Sequence, residues 1–199
     1  MFLEIFNHIY SIGLLVTLII AIITILALVF FYKDKNNWLT YVKNNDLNLY
    51  LALLIIAIIG SLYYSEFALF TPCKLCWIQR IFIFPQILLI LVAKFKKDNN
   101  IWNYLPWMTG FGIAFSLLHN YIYYFGKELS GTCDAAASCK AYYVYEYGFV
   151  TIPFMALGLF VSLISIMLVR KYYKGNPINE LSETVSYSTK DNSIDSIQE

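Results

Sequence analysis

The sequence predicts an all-α integral membrane protein, and three observations carry that reading. The chain of 199 residues is 59% hydrophobic with a mean hydropathy of +0.61, against roughly 45–50% apolar residues in soluble domains. Its 14% of charged residues fall in short clusters between long apolar runs. Those runs are continuously apolar rather than alternating, which favours spanning helices over barrel strands. With a net charge of +1 and no basic stripe, nothing points to a nucleic-acid partner.

A helix needs about 20 apolar residues to cross the hydrocarbon core. Five stretches qualify, at residues 9–32, 49–70, 77–93, 101–125 and 149–169. No charge interrupts the first, while the third is short and carries Arg80. The first lacks a preceding basic residue and exceeds the ~7–15 residue core of a signal peptide, so it reads as a retained helix. Tyr63, Tyr64, Trp102, Trp107, Tyr123 and Tyr124 stand near span ends, as interfacial aromatic residues do. The segment 141–148 (AYYVYEYG) has the character of a strip lying on the outer surface. From Gly175 the sequence turns polar and reads as a disordered tail.

Lysine and arginine set the orientation. Lys33, Lys35, Lys43, Lys94, Lys96, Lys97, Arg170, Lys171 and Lys174 follow the odd-numbered spans, whereas the opposite side offers Lys74, Lys127 and Lys140. The positive-inside rule places the first set in the cytoplasm. The N-terminus is then outside and the C-terminus inside. Both cysteine pairs, Cys73/Cys76 and Cys133/Cys139, fall in outward loops, where disulfides persist.

The stretch 72–80 (PCKLCWIQR) sets a CxxC at the mouth of the third span. A helix N-terminus favours negative charge through its unpaired amides, and a thiolate there is a better nucleophile, ligand or electron donor. Arg80 follows Cys76 by four residues and shares its helix face; an arginine at that depth is costly and marks a function or a local partner. Alone, the CxxC fits redox chemistry, a structural disulfide or half of a zinc site. The second pair, in GTCDAAASC at 131–139, weighs toward two disulfides that exchange with each other. A four-cysteine zinc site and structural staples are the alternatives, and no metal is expected on the redox reading.

The stretches 60–66 (GSLYYSE), 72–80 with Pro85, and 148–157 (GFVTIPFMAL) together resemble the signature of the DsbB family of disulfide-bond-formation proteins, especially its short BdbC-type members. The resemblance covers residues 49–170 with helices, CxxC and loop pair in the family's order. The vitamin K epoxide reductase type places its loop cysteines before the CxxC instead. The resemblance implies a four-helix bundle core, leaving the first span as an addition. The chain then divides into an extra helix with its cytoplasmic loop (1–47), a DsbB-like membrane domain (48–174) and a polar tail (175–199).

The implied activity is that of a protein-thiol:quinone oxidoreductase in the bacterial cytoplasmic membrane, which keeps the exterior oxidising. A thioredoxin-fold oxidase of the DsbA or BdbD kind would attack Cys133 of the Cys133–Cys139 disulfide. Electrons would pass through a Cys73–Cys139 link to Cys73–Cys76, and Cys76 would donate to ubiquinone or menaquinone. Arg80 and His119 are the expected quinone-binding residues; a histidine at the interface bonded to a neighbour is the plainer reading of His119. Glu66 is either a partner for Arg80 or a solvated carboxylate at the interface, Gln79 faces either quinone or lipid headgroups, and His8 has no assigned role. A membrane scaffold or transporter with structural cysteines is the competing class.

Overall fold

The computed structural model describes residues 2–31, 36–96, 98, 100–126 and 143–173. Six α-helices account for nearly all of them: α1 (Phe2–Phe31), α2 (Asn37–Asn44), α3 (Asp46–Leu62), α4 (Lys74–Lys96), α5 (Ile101–Phe125) and α6 (Ile152–Tyr172). Among the described residues the β-structure is a single bridge, Glu146 to Val150. The polar tail and the segment holding Cys133 and Cys139 lie outside the described residues.

All five expected spans are long helices. α1, α3 with its extension, α4 and α6 are long and apolar enough to cross a membrane. α5, at 25 residues, carries no charged side chain, but Asn103, Pro106, His119 and Asn120 lower its hydropathy. It runs alongside α4 and α6. The phenyl ring of Phe160 sits where a side chain on Gly112 would be, so a glycine brings α5 and α6 together, as small residues do between membrane helices. α5 ends at Gly126, whose φ of 71° is the left-handed conformation typical just beyond a helix C-terminus.

α3 does not run straight to Phe70. It loosens into one π-helical turn, Tyr63–Phe67, and Leu69 then takes a left-handed backbone conformation (φ 55°) that reverses the chain toward α4. Such π turns concentrate at functional sites, and this one lies beside the CxxC. The segment 143–150 is not a flat strip. Tyr147 and Gly148 have positive φ and make a tight turn that buries Val144 and Val150 against Tyr64 and Met155. Tyr143 stacks on Phe70 at 4.5 Å, and Glu146 meets His8 of α1 at 3.1 Å.

The short α2 was not anticipated from apolar length, being amphipathic rather than apolar. The Asn36 side chain caps it, accepting from the amides of Trp38 (2.9 Å) and Leu39 (3.3 Å). α2 closes the end of the bundle away from the CxxC. There Tyr173 accepts from the Asn36 amide through its hydroxyl (2.8 Å) and from Lys43 Nζ through its carbonyl (3.1 Å). Arg170 pairs with buried Asp46 and lies over Trp102 at 4.7 Å. Lys43, Lys94 and Arg170 thus share one end, and the cysteine mouth takes the other, as five alternating helices require.

Between the two ends, the Tyr50 hydroxyl donates to Gln86 Oε1 (2.6 Å) and pairs with Thr109 Oγ1 (3.0 Å). Gln86 in turn donates to the Phe82 carbonyl at 2.6 Å, one turn from Pro85, which cannot donate a backbone bond of its own. This buried network ties α3, α4 and α5. Tyr50→Phe should lower the unfolding free energy in detergent by about 1 kcal/mol while leaving the thiol chemistry at the far end intact. Thermal melts paired with thiol titration check this.

Candidate functional site

Cys73 is the residue at which α4 begins. Its carbonyl accepts the first α4 hydrogen bond, from Trp77 N at 3.1 Å. Its sulfur accepts from the Cys76 amide at 3.4 Å. That is the position and bond pattern of a helix N-cap, normally filled by serine or aspartate, so the helix amides favour charge on this sulfur. Cys76 Sγ stands 3.1 Å from Cys73 Sγ.

His119, projecting from the last turns of α5, brings Nε2 to 3.7 Å from Cys73 Sγ. The Gln79 amide nitrogen lies 3.4 Å from His119 Nδ1. Gln79 donates there in the tautomer that carries the ring proton on Nε2, facing the sulfur. Both side chains are almost fully buried, at 4% and 2% exposure, so their placement is held by packing. The hydrogen bond with Cys76 holds the Cys73 thiol far below the usual range, at about 4; burial opposes this and His119 reinforces it.

Arg80 extends to α3, not to Glu66. Its Nε donates to Ser61 Oγ (2.8 Å) and its Nη2 to the Ser61 carbonyl (2.9 Å), with the guanidinium 5.2 Å from the centre of the Trp77 ring. Of the two readings of Glu66, the pair with Arg80 is not formed and the solvated carboxylate is: Glu66 lies exposed in the π turn and accepts from Ser65 Oγ at 3.1 Å.

These groups converge on a cavity of about 440 Å³, within the ~300–1,000 Å³ usual for small-molecule sites. Cys73, Cys76, Gln79, Arg80 and His119 line one end of it. The remaining wall comes mostly from apolar side chains of α1, α3 and α6. Tyr64, 6% exposed, also lines the cavity, and its hydroxyl has no hydrogen-bond partner among the described residues. The expected residues Cys73, Cys76, Arg80 and His119 are thus brought together. Gln79, Ser61 and Tyr64 belong with them, although the sequence analysis gave none of them a defined part. For Gln79 the available signal was its position one helical turn after Cys76. One sulfur atom from each cysteine and one nitrogen of His119 all lie within 4.8 Å of one another, a spacing that a soft metal ion would also accept.

A membrane-embedded helical bundle with a charge-stabilised dithiol at its rim defines a class, the membrane thiol–disulfide proteins. The family model for disulfide bond formation protein DsbB matches residues 44–170, and this chain belongs to the DsbB family. Disulfide bond formation protein C of Bacillus subtilis is 37% identical over 136 residues, covering 65% of this chain and 96% of the relative. A probable disulfide formation protein C 1 of Bacillus cereus is 41% identical, covering 54% of this chain and 78% of its own. The SPbeta prophage-derived disulfide bond formation protein B of Bacillus subtilis is 35% identical, covering 64% and 86%. No solved structure gives a significant match. The chain is accordingly a multi-pass membrane oxidoreductase with a role in disulfide bond formation.

The downward shift at Cys73 fixes the sign of its pH dependence. The thiolate persists through neutral pH and protonates only as pH falls toward about 4. Thiolate absorbance of the reduced protein should follow that course. His119→Leu removes a donor to the charged form and should raise the midpoint by about one pH unit. An unmoved midpoint would remove His119 from the stabilisation of this sulfur.

Proposed function

We propose that this chain reoxidises a thioredoxin-fold disulfide oxidase outside the cytoplasm and passes the electrons to a membrane quinone. The observation that carries this reading is the opening of a dithiol into an apolar cavity that also holds unpaired or cationic donors. The residues present fit a quinone. Arg80, Gln79 and the free Tyr64 hydroxyl are donors for carbonyl oxygens, and the apolar wall suits a ring with a hydrocarbon chain. When bound there, a quinone accepts two electrons and two protons to become a quinol.

The protein's own thiols carry out the remaining chemistry. The partner's thiolate attacks Cys133, breaking the Cys133–Cys139 bond and freeing the Cys139 sulfur. Cys139 attacks Cys73, breaking Cys73–Cys76 and leaving Cys76 as the free sulfur at the cavity. The partner's second thiol then displaces Cys133, so the partner leaves as a disulfide. Cys133 attacks Cys139, which breaks Cys73–Cys139, restores Cys133–Cys139 and releases Cys73. As Cys76 gives up the electron pair to the acceptor, the freed Cys73 sulfur re-forms the bond with Cys76. Two partner thiols have lost two electrons and two protons, and one quinone has gained both. While Cys73 is bonded to Cys139, its sulfur cannot hold the charge, so Cys76 is the donor. Arg80, on the same helix face and lining the same cavity, then stabilises charge at the acceptor.

The chain sits in the bacterial cytoplasmic membrane with its N-terminus outside and its C-terminus inside. Residues 48–174 form the catalytic membrane domain and 1–47 an added helix and loop. The basic end formed by Lys43, Lys94 and Arg170 supports this orientation. Labelling of a cysteine placed at Lys96 should occur from the cytoplasmic face, and labelling from outside would overturn the reading.

Purified protein given reduced partner should convert quinone to quinol with one disulfide formed per quinol. Arg80→Gln should weaken quinone use roughly ten- to a hundredfold, the cost of a hydrogen bond to a charged group of ~1.5–3 kcal/mol, and spare stoichiometric partner oxidation. Cys139→Ala should trap a mixed disulfide at Cys133, and Cys133→Ala should not. A second reading, a metal site, rests on the compact Cys73, Cys76 and His119 cluster. Stoichiometric zinc in protein purified without added metal, with no quinone reduction, would favour it.

A further inference from the structure

The first helix lies outside the residues matched to the DsbB family, 44–170, and its packing gives it a specific place. α1 is largely exposed, as a lipid-facing helix would be: Ile9, Ile12, Val16, Ile19 and Ile23 are all open. One stripe also lines the cavity: half-buried Tyr10, Leu14 and Thr17, with exposed Ile9 and Gly13 beside them, and their spacing keeps them on one helix face.

Two glycines seat that stripe. The Tyr10 ring occupies the place that a side chain on Gly60 of α3 would need, and its hydroxyl reaches the Ile56 carbonyl at 3.4 Å. On the other side, Leu14 would meet a side chain on Gly158 of α6 at 3.3 Å. α1 therefore bridges α3 and α6. Ala57 and Gly60 of α3, with Ala156 and Leu159 of α6, share the cavity wall with it.

Gly13 is the exception within the stripe. A side chain built there meets nothing within 4 Å and the residue is exposed, although the position is deep in a helix, where glycine is unfavourable relative to alanine. It is one of the residues that line the cavity. Gly13 lies about one helical turn further from the cysteine mouth than Tyr10, and so beside the hydrocarbon part of the cavity. From Tyr64 to Leu53 of α3 that part runs about 16 Å along the helix axis.

We propose that α1 is a specificity wall that encloses the isoprenoid chain of the quinone, and that the missing side chain at Gly13 sets the width available to it. This rests on the quinone reading above. The acceptor class it selects is a prenylated quinone, and the contact is with the chain, not the ring at Cys76 and Arg80. A side chain added at position 13 competes with the isoprenoid carbons for the same apolar space. A chainless quinone has nothing there to displace.

The test is equilibrium binding to the purified full-length protein, read by tryptophan fluorescence. A prenylated quinone is compared with the same ring lacking its chain, for wild type, Gly13→Ala, Gly13→Leu and Gly13→Phe. The ratio of the two dissociation constants should rise with side-chain volume, by about tenfold at Gly13→Phe. Melting temperature identifies any variant that fails to fold, and the ranking is then read from the smaller replacements. A ratio that stays constant across the folded variants overturns the proposal, whether binding is kept or lost equally for both quinones. If wild type binds and reduces neither quinone, the acceptor reading itself fails. If it uses both and the ratio is constant, only the role of α1 does.

Discussion

The structure depends on the need to hold negative charge on sulfur at the rim of an apolar bundle. A thiolate there loses the solvation that water would give it, and donors fixed by the fold must replace that solvation. Cys73 receives the helix amides by standing at the N-cap of α4, the Cys76 thiol by the CxxC spacing, and His119 from α5. Each donor has its own support. Gln79 orients the imidazole, and burial immobilises both side chains. The rest of the bundle holds these elements together, through the Tyr50–Gln86–Thr109 network that ties α3, α4 and α5 midway and the Asp46–Arg170 pair that ties α3 to α6 at the far end.

The arrangement also spaces its groups along one helix. Cys73, at the start of α4, is almost wholly buried, Cys76 three residues on is less so, and both line the apolar cavity with Arg80 a turn beyond. Ser61, two residues before the π turn of α3, meets the Arg80 side chain, so the guanidinium is held by a hydroxyl and a carbonyl, with no carboxylate paired to it among the described residues. A cation bonded only to neutral groups keeps its charge available for an anionic or electron-rich ligand.

Much of this was legible in the sequence because membrane helices are announced by length and apolarity, which local composition carries. The five long helices fall within a few residues of the expected spans, and the motif around Cys73 located the mouth of the site. What was not legible depends on backbone geometry. Composition left Glu66 between a pair with Arg80 and solvent, and it lies exposed in a π turn that apolarity does not announce. The helix α2 escaped notice because its stability comes from a cap at Asn36 and contacts to Tyr173, over a hundred residues away. The pairing of Gln79 with His119 was equally invisible, since nothing in either segment records the distance between α4 and α5. The function of the first span could not be read from apolarity alone. Its place against Gly60 and Gly158 depends on which neighbours offer room.

The central claim is that electrons leave the dithiol into the cavity bounded by α1, α3, α4 and α6. The most direct measurement is photo-crosslinking with a quinone carrying a photoreactive group, followed by peptide mapping. The account predicts label on α1 around residues 9–17 and on α4 around residues 76–83, lost when excess unmodified quinone competes. Label confined to the lipid-facing positions of α1 such as Ile19 and Ile23, or label that competitor does not displace, would contradict it.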